Sequence, residues 1–447
     1  MQNLILTGTF QGKPITLAGS IPSAADISAA TQPAILQAIA ALKADMDAQF
    51  ASVLAAIHAI PVSPPSPPPP PPPADWVQRT AAPSDQPFMP VPTPSATSTD
   101  QQKYSNPVLP VPPNPDTGPI SVDTVIPSGL FTQVMDITNN AKVTGAGMEC
   151  QVGTAAATIF DGTKKRPIYR KAMAVFEGSS VPGGAVLSNI TIRQWDVSQA
   201  DGQNAAGVCN GAHGHPAAPY DYTLDHVEVY GCQQGARGLG GNVNFFNSHF
   251  HHNGTDSCST TGCTHNTYLN EDGGISDLDV VTATHSVWRK SLYAHEFKSR
   301  AGSHIMTGCV FDSRLIPGSG LGGNGACVDN SDGGKWQGKN NIYIKGAGAP
   351  NHNFITHDQD AEAGDWQQDW FDDSPVFVNY VGVAHIVVEG GRTITLNNPI
   401  FIGPRPDFTG NVVITGTPQD LPATAPIPFP PEVLALFQNG QYPGDNG

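Results

Sequence analysis

With 447 residues the chain is long enough for a large domain with appendages, and its 47 glycines, 42 prolines and 13% charged residues exclude a mainly helical enzyme. The formal net charge is -16 and no Lys/Arg block occurs, which argues against a broad nucleic-acid backbone footprint. An acidic chain can still bind an acidic glycan through a local basic row, without long-range steering from its total charge.

Residues 1–31 read as a small β attachment or assembly segment: Asn3-Leu-Ile-Leu-Thr-Gly-Thr-Phe10, a turn at Gln11-Gly12-Lys13, then Pro14-Ile-Thr-Leu-Ala18. The alternation there is unlike a secretory signal, and no apolar stretch is long enough to span a membrane. Residues 32–60 predict a helix, with Pro33 suited to its first turn. Ile35, Ile39, Leu42, Met46, Phe50, Val53, Ile57 and Ile60 form a heptad-like seam along it. Such a stripe predicts a homo-oligomer through residues 35–60, a trimer being favoured by its isoleucines; the bland alternative is a helix laid on the β domain. Residues 61–119 are a proline-rich linker, and Pro67 to Pro73 favour a polyproline II rod.

From residue 120 to 415 the pattern is short β pieces separated by Gly, Asn, Asp and Ser, such as Val186-Leu-Ser-Asn-Ile-Thr-Ile192 and Tyr222-Thr-Leu-Asp-His-Val-Glu-Val-Tyr230. A solenoid accounts for this better than a sandwich, because each rung buries its inward residues on its neighbours and asparagines at turns bond between coils. Residues 416–447 read as an irregular C-terminal tail packed on the last coil.

Seven cysteines occur, an odd number, so at least one is unpaired within a monomer. Cys258 and Cys263 are the disulfide candidates if the environment is oxidising; two local thiols are the alternative.

The most informative stretch is 264–314. If His295-Glu-Phe-Lys-Ser-Arg300 is extended, Phe297 points one way while Glu296, Lys298 and Arg300 line the other face, beside a row supplied by Arg289. His265 lies one predicted coil earlier and is a second acid or base candidate at neutral pH. Trp336, Trp366 and Trp370 are candidate sugar-stacking residues, rim packing being the alternative. Glu271, Asp272 and Asp277 are calcium candidates, hard oxygen donors around Gly273-Gly274. His249, His251, His252 and Asp256 offer metal donors at a spacing that is not diagnostic.

The chain resembles right-handed parallel β-helix proteins of the pectate-lyase-like superfamily. The resemblance is carried by Ser128-Gly129, Val143-Thr-Gly-Ala-Gly147, Leu187-Ser-Asn-Ile-Thr-Ile192, His265-Asn-Thr-Tyr-Leu269 and Cys309-Val-Phe-Asp312. It implies an all-β, single-stranded right-handed parallel β-helix preceded by the helical segment and the linker. His295-Glu-Phe-Lys-Ser-Arg300 followed by His304-Ile-Met-Thr-Gly-Cys-Val-Phe311 is similar to the segment of alginate-lyase-like and chondroitinase-B-like enzymes in which a lysine is the base. That similarity implies Lys298 as base for β-elimination from a uronate. The family's acid motif, Arg-His-Gly one coil later, is absent, and the nearest following basic residue is Arg314. Arg314 is then the candidate for neutralising the substrate carboxylate or the leaving charge. Elimination by Lys298 requires cations such as Arg300 or Arg289 nearby and no carboxylate that fully pairs the amine, Glu296 being the competitor.

A helical seam and proline spacer ahead of a β-helix are also similar to phage tailspikes and other trimeric fibres. This implies an extracellular, cell-surface or virion-associated place reached without a conventional signal peptide. The expected partner is a polysaccharide, with neither nucleic acid nor a membrane span. The alternatives are a non-catalytic adhesive or structural spike, and a glycoside hydrolase drawing on carboxylates such as Asp329, Asp332, Asp358 and Asp360.

Overall fold

The computed structural model describes residues 2–10, 13–21, 120–131, 134–138, 140–162, 172–177, 184–195, 206–210, 221–238, 241–254, 264–269, 280–315, 325–347, 349–358 and 368–443. The chain divides into two compact units, residues 1–78 and 79–447. In the first, strands Gln2–Phe10 and Lys13–Ile21 form an antiparallel hairpin. The helix predicted at 32–60, with the seam from Ile35 to Ile60, and the linker at 61–119 lie outside the described residues.

The second unit is a mostly β stack of coils whose named strands all pair in parallel. Ten strands, from Met135–Thr138 through Thr267–Leu269, Phe297–Ser299 and Val328–Asn330 to Asp407–Thr409, form one sheet in rung order. The remaining strands form a second ladder that turns a corner within every rung. In Ala185–Arg193 and Tyr222–Tyr230 the corner falls inside one strand, at Asn189 and His226, both with φ near +55° (55° and 54°). In later rungs it splits the strand in two, at Asn247, His285, Gly308, Asn340, Ser374, Asn398 and Gly416. Left-handed backbone is least costly for glycine and asparagine, which explains the asparagines that punctuate the sequence at these points.

The residue after the corner then bonds between coils. Ser286 Oγ accepts from Ser248 N at 3.2 Å, and Asn341 Oδ1 accepts from Cys309 N at 3.0 Å.

Period-two alternation fills the interior. In Lys335–Lys339, Trp336 and Gly338 point inward while Lys335, Gln337 and Lys339 are exposed. Stacked aromatic rings run along the core from Phe250 through Trp288, Phe311, Tyr343 and Phe377 to Phe401, at centroid spacings of 5.0 to 5.7 Å. Ring pairs of this kind contribute roughly 0.5–1.5 kcal/mol each beyond their burial. Trp336 and Trp370 belong to the same interior, fully buried and stacked on each other at 3.9 Å, so neither offers a face to a sugar.

The C-terminal tail reaches farther than the last coil. It crosses the outside of the second ladder, where Val433, Leu436, Phe437 and Tyr442 cover Val287, Val310, Ile342, Ile344 and Val376. It reaches back over earlier rungs: Gln151 Nε2 donates to Ala435 O at 3.2 Å, and Tyr442 OH donates to Asp312 Oδ2 at 3.1 Å.

Candidate functional site

The outward positions of successive rungs of the ten-stranded sheet are Arg237, Tyr268, Lys298, Asp329 and Thr356, aligned side by side by the strand register. Asp329 is the hub of this row. Its Oδ2 lies 3.0 Å from Lys298 Nζ and 3.3 Å from His295 Nε2 and accepts from Ser331 Oγ at 3.0 Å, while its Oδ1 accepts from Thr356 Oγ1 at 2.7 Å. Burial alone would raise this carboxyl, but His295 and Lys298 outweigh it and hold the group well below the usual carboxylate range.

Two imidazoles stand beside the row, stacked at 5.2 Å. His265 Nδ1 accepts the His295 backbone N–H at 3.2 Å, and His295 Nδ1 accepts the Ala326 N–H at 2.9 Å. An imidazole whose Nδ1 lone pair is taken by an amide carries its hydrogen on Nε2. Burial, then His295 and Lys298, push the His265 imidazolium down further. His265 is therefore a neutral Nε2–H donor; the sequence expectation of a general acid or base there is corrected.

Lys298 is 14% exposed by its side chain and paired with Asp329, so it is an ammonium without a lone pair to take a proton. The carboxylate that pairs it is not Glu296. The strand begins at Phe297, and Glu296, at the bend before it, is fully buried, accepting from Ser291 N at 3.0 Å and from Asn266 Nδ2. Glu296 thus leaves the outward face on which alternation had placed it. Arg300 does stay near the row: its Nε donates to Tyr268 OH at 3.2 Å and its Nη1 pairs with Asp332 Oδ1 at 2.6 Å.

Arg289 and Arg314 lie elsewhere, among residues of the second ladder beneath the tail. Arg289 is fully buried, donating to His249 Nε2 at 3.0 Å and Pro443 O at 3.4 Å. Arg314 is clamped on Asp312 through Nε at 2.8 Å and Nη2 at 2.6 Å. Neither is placed to meet a substrate carboxylate at Lys298, and the roles expected of them there are corrected. Trp366, Glu271, Asp272, Asp277, Cys258, Cys263, Asp256 and Asp360 lie outside the described residues. The other five cysteines, Cys150, Cys209, Cys232, Cys309 and Cys327, are buried.

Tyr268, Asp329 and Asp332 complete the row. In the sequence Tyr268 stands out only as part of a rung, and the two aspartates only as hydrolase candidates. The signal for Tyr268 is the match between Thr267-Tyr-Leu269 and Phe297-Lys-Ser299, each with one polar outward residue between two inward ones. Asp329 lies thirty-one residues beyond Lys298, a register that no local pattern announces.

A second polar cluster, under the tail, contains Cys150, Glu228 and His249, whose donor atoms lie within 4.8 Å of one another and could hold a metal ion. Sulfur, nitrogen and a single carboxylate suit a transition metal rather than calcium. The surrounding bonds oppose one. Arg289 donates to His249 Nε2, which leaves the hydrogen on Nδ1, 3.7 Å from Glu228 Oε1. Burial and Glu228 push the Cys150 thiol up, away from thiolate. Glu228 is itself bonded to Cys150 N at 3.0 Å, Thr191 Oγ1 at 2.9 Å and His251 Nε2 at 3.1 Å. A metal here would have to displace Arg289 and ionise the thiol.

No protein-family model matches the sequence, and no curated protein matches it. A solved structure, ORF18 of Geobacillus virus E2, is similar at 16% identity with a TM-score of 0.39, the match covering 66% of this chain and 52% of that one. The chain therefore spans about half the length of that protein. Among the described residues no helix is long and apolar enough to cross a membrane.

Proposed function

We propose that this protein is a fibre- or spike-type homo-oligomer, self-associating through residues 35–60, that engages an acidic polysaccharide on the outer face of its ten-stranded sheet. Its place would be outside a cell or on a virion. The observation that carries this reading is the Tyr268–Lys298–Asp329 row with the Nε2–H donors of His265 and His295 beside it. Lysine ammonium, two imidazole N–H groups and Arg300 make a donor-rich strip, its two cations balanced by Asp329 and Asp332, on a chain of net charge -16. Such a strip suits a sugar carboxylate.

Cleavage is the enzymatic form of this reading, and elimination fits it better than hydrolysis. A glycosidase needs one carboxyl held protonated, whereas Asp329 and Asp332 are both paired with cations. Elimination needs a cation at the uronate carboxylate, and Lys298 serves that role here rather than that of base.

Binding of the full-length protein to uronate polymers and to neutral glucans, by calorimetry, tests the reading. Uronate polymers should bind and neutral ones should not. Lys298→Gln should weaken uronate binding by about 10- to 100-fold, the size of one charge-assisted contact. Binding that ignores this substitution, or that favours neutral glucans, would overturn it.

A further inference from the structure

If Lys298 is held as an ammonium, an elimination on this face needs another base, and the row contains one. Tyr268 is half-buried, at the outward position of the strand preceding Lys298 in the sheet. Arg300 Nε donates to that oxygen at 3.2 Å, and Lys298 Nζ stands 5.5 Å from the ring centroid. The His265 ring meets the Tyr268 ring edge to face at 5.2 Å. Arg237, its register partner on the other side, is fully buried. The nearby carboxylates Asp329 and Asp332 are committed to Lys298 and Arg300. Among the described residues the phenol oxygen thus accepts from a guanidinium and has an ammonium near its ring, each balanced by its own aspartate, and a charged donor on that oxygen favours the phenolate.

We infer that Tyr268 both removes and returns the proton in a β-elimination on this face, an inference that rests on the acidic-polysaccharide reading above. The Tyr268 phenolate takes the proton from the carbon next to the uronate carboxylate. The C–H electron pair moves into the carboxylate, where Lys298 holds the added charge. That pair then forms the ring double bond as the bond to the leaving sugar oxygen breaks, and the new phenol O–H protonates that oxygen. Tyr268 ends as phenolate and no other reactant is consumed.

One group doing both tasks requires the proton and the leaving oxygen on the same side of the ring. That geometry belongs to gluco- and manno-configured uronates and not to galacto- or gulo-configured ones. The substrate class is therefore a 4-linked glucuronate or mannuronate polymer.

The test uses the full-length protein with hyaluronan, polymannuronate, polyguluronate and polygalacturonate, following binding by calorimetry and unsaturated product by ultraviolet absorbance. Product is expected from hyaluronan or polymannuronate alone. Tyr268→Phe should lower kcat by about 10²- to 10⁴-fold, the usual worth of a general acid–base group, while polymer binding persists. Arg300→Gln, which removes the guanidinium from the phenol, should move the rise of kcat/KM to higher pH. Wild-type turnover by Tyr268→Phe, product only from the galacto or gulo polymers, or binding without any product each overturns the role of Tyr268 and leaves the binding face standing. Binding of none of the four polymers overturns both.

Discussion

Burial decides the charge state of two carboxyls inside the coil, with opposite consequences from those at Asp329. Burial first, and then Asp312, push Glu296 up to about 8, against bonds from Ser291 and Asn266 that pull it down. Asp372, which accepts from Tyr343 OH, is pushed up to about 7 by the same desolvation. A carboxyl raised in the fold favours the neutral form there. Its contribution to stability is full below the ordinary carboxylate range and is lost as pH rises through the folded value. Asp329, held low, contributes above the ordinary range and loses its contribution in acid. The thermal midpoint should therefore fall between about pH 5 and pH 8. Glu296→Gln should flatten that fall. The amide keeps an acceptor for Ser291 N and gives up the one for Asn266, so the variant should be about 1 kcal/mol less stable at pH 5 and more stable than wild type near pH 8. Melting curves of both chains across this range, without a crossing, would show that Glu296 is not the group involved.

At the scale of elements, most of the coil was legible because rung strands alternate visibly and their corners carry asparagine or glycine. Lys335-Trp-Gln-Gly-Lys339 shows both the success and the limit: polar residues flank Trp336 on either side, which marks it as inward, yet its residue type alone makes it a candidate for sugar stacking or rim packing. The candidate site was half legible. Lys298 and Arg300 announced themselves as an outward charged row, but Glu296 lay one residue outside the strand, where alternation no longer holds. Arg289 failed for a different reason: parity within a strand does not say to which sheet the strand belongs, and Arg314 lies one residue past a strand of that same second ladder. The tail was the least legible element, since its partners lie as far back as Cys150. It also seals a buried ionic layer, in which Asp312 binds Arg314 and receives the Tyr442 hydroxyl. Tyr442→Phe leaves the apolar contacts and removes that donor from a buried carboxylate. It should cost about 1.5–3 kcal/mol in denaturant unfolding, a hydrogen bond to a charged group. An unchanged midpoint and slope would mean that the tail is held by its apolar side chains alone.

At the scale of the whole molecule, the charge of the chain and the charge of its proposed site pull in opposite directions. A net charge of -16 repels a polyanion at long range, while Lys298, Arg300 and the imidazole donors attract it only at contact. Salt acts unequally on the two. Exposed charges farther apart than the Debye length, about 10 Å at 0.1 M, are largely screened, whereas half-buried contacts are screened much less. Adding salt should therefore remove the repulsion before it weakens the contacts. The association rate with a uronate polymer should rise between about 10 mM and 100 mM salt, the reverse of the fall that electrostatically steered complexes show. The dissociation rate should change less over the same interval, because it reports the contacts at the row. Stopped-flow association at several salt concentrations separates the two. A rate that falls with salt would mean that the polymer first meets a basic surface other than this row, and the site would have to be sought there.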